Sequence, residues 1–409
     1  MKKTTAKTNA LITKIAKARV FIDVILSILL VQHKVTFKFT LVGNRLAYFC
    51  SSNSWGGLEM NHLRNAVWMS ERGHSVLILG LELSPIHKHA LELELPFIAI
   101  EPHRRWYDFK AVRRAQQILE SEKISHFIVR KPGDMSLAAG LKYRLKDKLH
   151  VSYFMEMQLG IRKKSIFHTI RYRYIDVWSC PLNWLKEQVQ KQTHFKNNLV
   201  VIPSGIRLEE FNDLPSQKLS RQDLDLPKEG VLLGMVGRFD PKKGQLILLE
   251  AVSKSKHSNF SVLFMGETTQ HEGSEYEKSL FEFIEDNGLN DRVIFRPYGS
   301  SLSHFYRSID WMVMASESET VGMVTIESLA SETPVLGSNA GGTPEIMNLS
   351  DGGILFESMN STDLATKIDE IMESSPKRDP QKMRQLVEQN DHHEVCAKVE
   401  ASLGLKATH

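Results

Sequence analysis

Cysteine is scarce in this sequence. Cys50, Cys180 and Cys396 are the only 3 among 409 residues, far apart and without a CxxC pair. That argues against a disulfide framework or a thiolate zinc site and fits a reducing compartment. Long apolar runs are missing too. The stretch Val20–Val31 (VFIDVILSILLV) is broken by Asp23 and Ser27 and falls short of the ~20 apolar residues a membrane span needs. No small-residue cleavage site follows it as in a signal peptide. A G-x-G-x-x-G turn is absent where a dinucleotide oxidoreductase would carry one, the turn after the first strand reading SSNSWGGLEMN. Repeats, low-complexity segments and nucleic-acid-binding modules are absent as well.

Charge is spread unevenly. Residues 1–45 hold nine Lys/Arg against Asp23 alone, whereas the rest holds 43 bases against 47 acids. The folded body is therefore slightly acidic, which makes nucleic acid a poor partner. The basic arm is predicted to be an N-terminal extension over residues 1–44. Two readings of it stay open: an amphipathic segment resting on an anionic membrane, or a loosely ordered extension before the first domain.

From Arg45 onward short apolar runs alternate with amphipathic stretches. RLAYFCSS reads as a strand, and Trp55-Gly56-Gly57 opens a helix toward Arg72. SVLILGLE, FIAIEP, HFIVRKP, HVSYFMEMQ, DVWSCP and NLVVIPSG continue as strands, with KAVRRAQQILESE as a helix among them. A polar stretch over 207–230 precedes a second series, GVLLGMVGRFD, SVLFMGE, RVIFRPY, DWMVMAS and TPVLGSN. Such alternation predicts parallel sheets covered by helices. The length suits two domains. They are placed at 45–206 and 207–380, with a helical tail over 381–409 that can pack back across the cleft between them.

Three segments carry chemistry. In GRFDPKKG, after a strand, Arg238 and Lys243 share one loop. A planar guanidinium and a point charge there can converge on a diphosphate, or form an ordinary solvated turn. In SESETVGMVTIESLA, Glu319 lies in a loop and Glu327 one turn into the next helix, with Gly322 and Met323 between them. Carboxylates accept hydrogen bonds from sugar hydroxyls, and amides at a helix start bind phosphate. A surface placement of both glutamates is the alternative, but the apolar neighbours of Glu327 would make an unpaired carboxylate costly. Third, Gly56-Gly57 and Gly341-Gly342 open helices. Glycines there permit close approach of a ligand or simply make tight turns.

Taken in order, WGGLE, RGHSVLIL, VIPSGI, VGRFDPKKG, VLFMGE and SESETVGMVTIESLASETPVLGSNAGGTPEI resemble the family 4 retaining glycosyltransferases, from Arg45 to Leu386. The resemblance implies an α/β chain of the GT-B fold, two Rossmann-like domains facing across a cleft. It implies a hexosyltransferase-type activity (EC 2.4) on a UDP- or GDP-sugar, with no further cofactor and no metal. By the same resemblance Arg238, Lys243, Gly56 and Gly57 hold the donor diphosphate, and Glu327 the ribose. Glu319, Gly322 and Met323 hold the transferred sugar, and Arg296-Pro297-Tyr298 frame the base. The first domain takes the acceptor, a glycan or lipid-linked hydroxyl in cell-envelope polysaccharide or lipopolysaccharide synthesis. That places the enzyme in the cytoplasm, peripheral on the inner face of the membrane. A catalytically inert nucleotide-sugar-binding partner of a glycan assembly system is the alternative.

The sequence departs from the family at one place. A histidine common after the strand in HFIVRKPGD is here Arg130, and the segment after the next strand carries Glu156. Arg130 and Glu156 are candidates for the acceptor or phosphate side; for Arg130 a structural salt bridge is the alternative. Asp223-Leu224-Asp225 matches a metal-binding DxD pattern but lies in the polar interdomain stretch. His392-His393 reads as solvent-facing. Arg104-Arg105-Trp106 and Arg162-Lys163-Lys164 suit an anionic lipid carrier or a solvated face.

Overall fold

The computed structural model describes residues 44–406 apart from residues 107, 269–273, 300–301, 348–351, 375 and 377–378. The predicted basic extension therefore lies outside the described residues, except for Asn44.

Two wholly parallel sheets organise the chain. The first has the order β3-β2-β1-β4-β5-β6-β7. Its strands are β1 (Arg45–Cys50), β2 (Ser75–Gly80), β3 (Phe97–Ala99), β4 (His126–Val129), β5 (His150–Phe154), β6 (Val177–Cys180) and β7 (Asn198–Val201). The second has the order β10-β9-β8-β11-β12-β13. It comprises β8 (Val231–Val236), β9 (Phe260–Met265), β10 (Val293–Arg296), β11 (Trp311–Met314), β12 (Val335–Ser338) and β13 (Gly353–Phe356). Strands covered by helices on both faces read as unbroken apolar runs, as LAYFC in β1 and WMVM in β11 do, all buried.

In each sheet the strand order reverses beside the first strand, between β1 and β4 and again between β8 and β11. Ligands of such sheets bind outside the carboxyl ends of the strands at that crevice. The two-domain α/β expectation holds, and the fold is GT-B.

Two details differ from the sequence reading. The second series does not end at TPVLGSN, because β13 pairs in parallel with β12 from Val335↔Gly353 to Ser338↔Phe356. Gly353 has φ +150, and a Cβ there would lie 1.8 Å from the Val335 carbonyl, so its glycine belongs to the sheet rather than to a turn. The polar stretch 207–230 is also not featureless. Helix Gln217–Asp223, capped by Ser216, packs on helix Leu302–Ser308 and belongs to the second domain.

The C-terminal helix His392–Leu403 returns to the first domain. Val395, Cys396, Val399 and Leu403 share one core with Leu46, Tyr48 and Trp68. Glu400 fastens it, accepting from Arg72 Nε and Nη2 at 2.8 and 2.7 Å and facing His74 Nε2 at 2.9 Å. All three cysteines are buried and free. No helix among the described residues is long and apolar enough to cross a membrane.

Candidate functional site

The crevice of the second sheet gathers most of the singled-out residues. β8 is followed by Gly237, whose carbonyl lies 2.0 Å from where a Cβ on Gly266 would sit. Only glycine lets the ends of β8 and β9 cross so closely. The chain then turns through Arg238–Lys243 and enters helix Gln245–Lys254 at Gly244, φ +83. A Cβ on Gly244 would meet the Ala315 carbonyl at 2.2 Å, so this loop lies hard against the one leaving β11. There Lys243 Nζ donates to Glu319 Oε2 at 2.7 Å, and Ser316 Oγ reaches the same oxygen at 3.3 Å. Arg238, half-exposed, is held by Asp240 at 2.8 Å.

Gly322 has φ +82 and starts helix Met323–Ala330. Thr325 N already donates to Gly322 O at 2.9 Å, which leaves the amides of Met323 and Val324 without intrahelical acceptors, on the chain segment that follows Glu319. The Gly341-Gly342 turn underpins this loop: Gly342 N donates to Glu319 O at 2.8 Å. A Cβ on Gly341, at φ +65, would stand 2.1 Å from that oxygen. These glycines are required by close packing.

Glu327 is enclosed. Tyr306 Oη donates to its Oε2 at 2.8 Å. Burial, partly offset by Tyr306 and Arg64, raises its carboxyl above the usual range. It lines a cavity of about 270 Å³ with Arg64 and Trp68 of the first domain and Arg207, Glu210 and Phe211 of the linker. A second cavity of about 270 Å³ is lined by Gly237, Arg238, Gly266, Glu267, Thr268 and Tyr298. Burial and then Glu327 raise the Tyr298 phenol. Arg296 does not point into either: its guanidinium donates to the carbonyls of Leu224, Phe295 and Asp225 at 2.8, 2.9 and 2.6 Å.

On the first domain, Gly56 and Gly57 open helix Gly57–Glu71, and a Cβ on Gly57 would meet nothing within 4 Å. Arg130, at the end of β4, forms a buried ion pair with Glu156, which also accepts from Asn61 Nδ2 at 3.2 Å. Burial raises the Glu156 carboxyl; Arg130 is the leading opposing influence. Two residues on, Gln158 Nε2 donates across the cleft to Ser318 Oγ at 3.2 Å, beside Glu319. A further bridge joins Glu345 to the start of helix Asn183–Gln192. Its carboxylate accepts from the Asn183 amide and side chain and the Trp184 amide at 2.7, 2.9 and 3.0 Å.

Sequence reasoning missed Tyr306, Arg64, Glu345 and a cluster at the ends of β1 and β4. In that cluster the fully buried Asp134 accepts from Ser51 N at 3.0 Å and from Ser51 Oγ, and faces His103 Nε2 at 3.0 Å. The other His103 nitrogen faces the Arg104 carbonyl at 3.0 Å, so both ring nitrogens are set to donate. Burial acts to lower the His103 pKa, but its bonds to Asp134 and Arg104 outweigh this and raise it. Spacing gives no signal for contacts between separate loops.

Asp223 and Asp225 do not converge: the first faces His304 at 3.2 Å and the second Arg296 at 3.7 Å. His392 is buried beside Trp68, with ring centroids 5.5 Å apart, contrary to the solvent-facing expectation. The helix entry at Asp391 turns it inward.

Residues 216–390 match the family model described as glycosyl transferases group 1. Among curated proteins, the D-inositol 3-phosphate glycosyltransferases of Stackebrandtia nassauensis and Mycolicibacterium smegmatis are similar. The first is 28% identical over 191 residues, 44% of this chain and 42% of that protein. The second is 30% identical over 183 residues, 44% and 41% respectively. The chain thus spans less than half the length of these curated relatives. Solved structures extend the likeness across both sheets. A glycosyltransferase from Rickettsia africae superposes with a TM-score of 0.77 at 20% identity, covering 88% of this chain and 98% of its own. Anabaena Alr3699/HepE in complex with UDP-glucose gives 0.73 at 18%, covering 88% and 99%. The second domain is thus similar to the group 1 glycosyl transferases, and the chain has the GT-B fold.

Proposed function

We propose that the protein moves a sugar from a UDP- or GDP-sugar to a hydroxyl of a glycan or lipid-linked acceptor, with retained anomeric configuration. The observation that carries this reading is the Lys243–Glu319 pair, 2.7 Å apart at the crevice of the second sheet. Arg238 lies on the same loop as Lys243, and the Gly322 helix start follows on the same loop as Glu319. A diphosphate entering there takes Lys243 and Arg238 as counter-charges and the helix-start amides as donors. Glu319, released from Lys243, then accepts from the sugar hydroxyls. Glu327 takes the ribose diol, and the cavity at Gly237, Gly266 and Tyr298 takes the base. The complex of HepE with UDP-glucose, on the same fold, supports a nucleotide-sugar donor.

In the proposed step the acceptor oxygen forms a bond to the anomeric carbon on the face from which the diphosphate departs. The bond from that carbon to the diphosphate oxygen breaks, and the departing oxygen takes the acceptor's proton. No protein nucleophile is needed. Arg238 and Lys243 stabilise the charge that develops on the leaving group, the preorganised electrostatic term that is commonly the largest in such catalysis. Arg130 takes no direct part, because Glu156 neutralises it. Their pair shapes the acceptor side and, through Gln158 and Ser318, braces the Glu319 loop. The setting that fits is cell-envelope glycan synthesis at the inner face of the cytoplasmic membrane.

A thermal-shift screen of UDP- and GDP-sugars tests the donor site. A ligand at a hundred times its dissociation constant adds about 2.7 kcal/mol, and no stabilisation by any of them would refute it. NMR of the product's anomeric proton tests retention, an inverted product refuting that part.

A further inference from the structure

The first domain has a second cavity-bearing region that the donor site does not use. A cavity of about 290 Å³ lies between helices Phe109–Ser121, Met135–Leu145 and Ile166–Arg173, walled by Phe109, Val112, Ala139, Tyr143, Phe167 and Ile170. Its rim carries large apolar side chains that a solvated face would lack: Phe109 is 79% exposed, Phe167 57% and Ile170 50%.

One charged side chain is buried at its edge. Arg171 is 7% exposed, with its guanidinium 4.6 Å from the Trp106 ring and 5.0 Å from the Tyr172 ring. Its hydrogen bonds are long ones to neutral hydroxyls, Ser136 Oγ at 3.4 Å and Tyr172 Oη at 3.3 Å, and its Nε has no partner. No carboxylate among the described residues pairs with Arg171, nor with neighbouring Arg105 or Lys163. Asp108 lines the cavity but is committed to the amides of Arg104 and Ala111, each at 3.0 Å. Asp134 turns to Ser51 and His103.

A buried cation without a counter-ion is costly. Here Ser136, the second residue of helix Met135–Leu145, brings it against the positive end of a helix dipole, which adds to the cost. Burial, Arg105 and Arg171 together hold Lys163 below the usual lysine range. An anion at this point would relieve all of these.

We propose that this cavity binds an anionic amphiphile, its hydrocarbon chain along the apolar wall and a phosphate-type head on Arg171, with Arg105 and Lys163 beside it. Such a molecule combines the two chemistries that the cavity combines. Binding stands independently of the donor site; its role as the lipid anchor of the acceptor rests on the glycosyl-transfer reading.

Isothermal titration of the full chain with monomeric dodecyl phosphate tests this against dodecyl maltoside, dodecyltrimethylammonium and inorganic phosphate. Dodecyl phosphate is expected to bind at least tenfold more tightly than any of the three. Arg171→Met, which swaps a buried charge for an apolar chain, and Ile170→Glu, at a half-exposed rim position, are each expected to lose at least tenfold. Equal binding of the neutral or cationic detergent, or unchanged affinity in either folded variant, overturns the proposal. So does binding to phosphatidylglycerol vesicles that neither substitution alters, without uptake of the monomer, because that result describes a diffuse basic surface. UDP-glucose stabilisation, measured on the same samples, reports separately on the donor site and on folding.

Discussion

Replacing Glu319 by glutamine preserves the size of the side chain and removes its charge. The Lys243 ammonium, 2.7 Å from Oε2, then loses its counter-ion. The two side chains are 36% and 22% exposed, so solvent screens the pair, and about 1 kcal/mol is a fair upper value for it. A nucleoside diphosphate must break this pair to recruit Lys243. Its absence in the variant should therefore tighten UDP or GDP binding by up to about fivefold, since roughly 1.4 kcal/mol corresponds to a factor of ten. The sugar behaves in the opposite way. A hydrogen bond to a charged carboxylate is worth about 1.5–3 kcal/mol, and losing it should lower kcat/KM for transfer by roughly ten- to 150-fold. Calorimetry with the free nucleotide and a nucleotide-release assay with the nucleotide sugar read the two effects separately. The reasoning is refuted if the free nucleotide binds more weakly to Glu319→Gln. It is refuted equally if nucleotide and nucleotide sugar change by one common factor, because Glu319 would then act on the nucleotide or on the loop.

Tyr306→Phe leaves Glu327 enclosed without its donor at 2.8 Å and should cost about 1–3 kcal/mol in urea unfolding, together with weaker nucleotide binding. Gly341→Ala forces a Cβ to within 2.1 Å of the Glu319 carbonyl at φ +65. Strain of about 1–3 kcal/mol and a displaced Glu319 loop should lower turnover at least tenfold, readable as a fall in kcat with the far-UV spectrum kept. Acid should destabilise the first domain through two buried rings. Burial and Arg130 push His62 down to about 3, while burial and His150 push His126 down to about 4. Both folded values lie below the unfolded one, so stability is full above pH ~6.5. As pH falls toward 4 the unfolded chain takes the protons first, and stability drops at up to about 1.4 kcal/mol per pH unit for each ring. His62→Phe should flatten that slope by one ring's share, and an unchanged slope would show that His62 does not contribute.

Fold class was legible because parallel strands buried on both faces announce themselves as short apolar runs, and because helix starts carry glycine or Ser/Asp caps. The exceptions are physical. β13 escaped because ILF follows two glycines, the usual sign of a turn, whereas Gly353 is there to let β12 approach. Helix Gln217–Asp223 escaped because seven mostly polar residues leave no apolar period to read, although Ser216 caps it and its partner Leu302–Ser308 is more than 70 residues away. The sequence allowed the last helix to pack back on the first domain, but not what fastens it there, Glu400 meeting Arg72 and His74. That pairing spans some 330 positions, and neither local period nor composition encodes it.

The site divides along the same line. Arg238, Lys243, Glu319 and Gly322 were legible because each sits within a few residues of a strand's carboxyl end, where the crevice of a parallel sheet must be. What the sequence could not show is how their charges close. Lys243 was read as a free counter-ion for a diphosphate, yet it is engaged by Glu319, and Arg130 by Glu156. Arg296 spends its donors on backbone carbonyls. Each of these cations had an obvious use in isolation, and each is neutralised or pinned by a partner from another loop. Arg171 is the converse: nothing in RYRY sets it apart from the surface bases around it, and only burial without a carboxylate reveals a cation still lacking its anion. A ligand-binding charge in this fold is therefore recognised less by its type or spacing than by the balance left after every neighbouring loop has been paired.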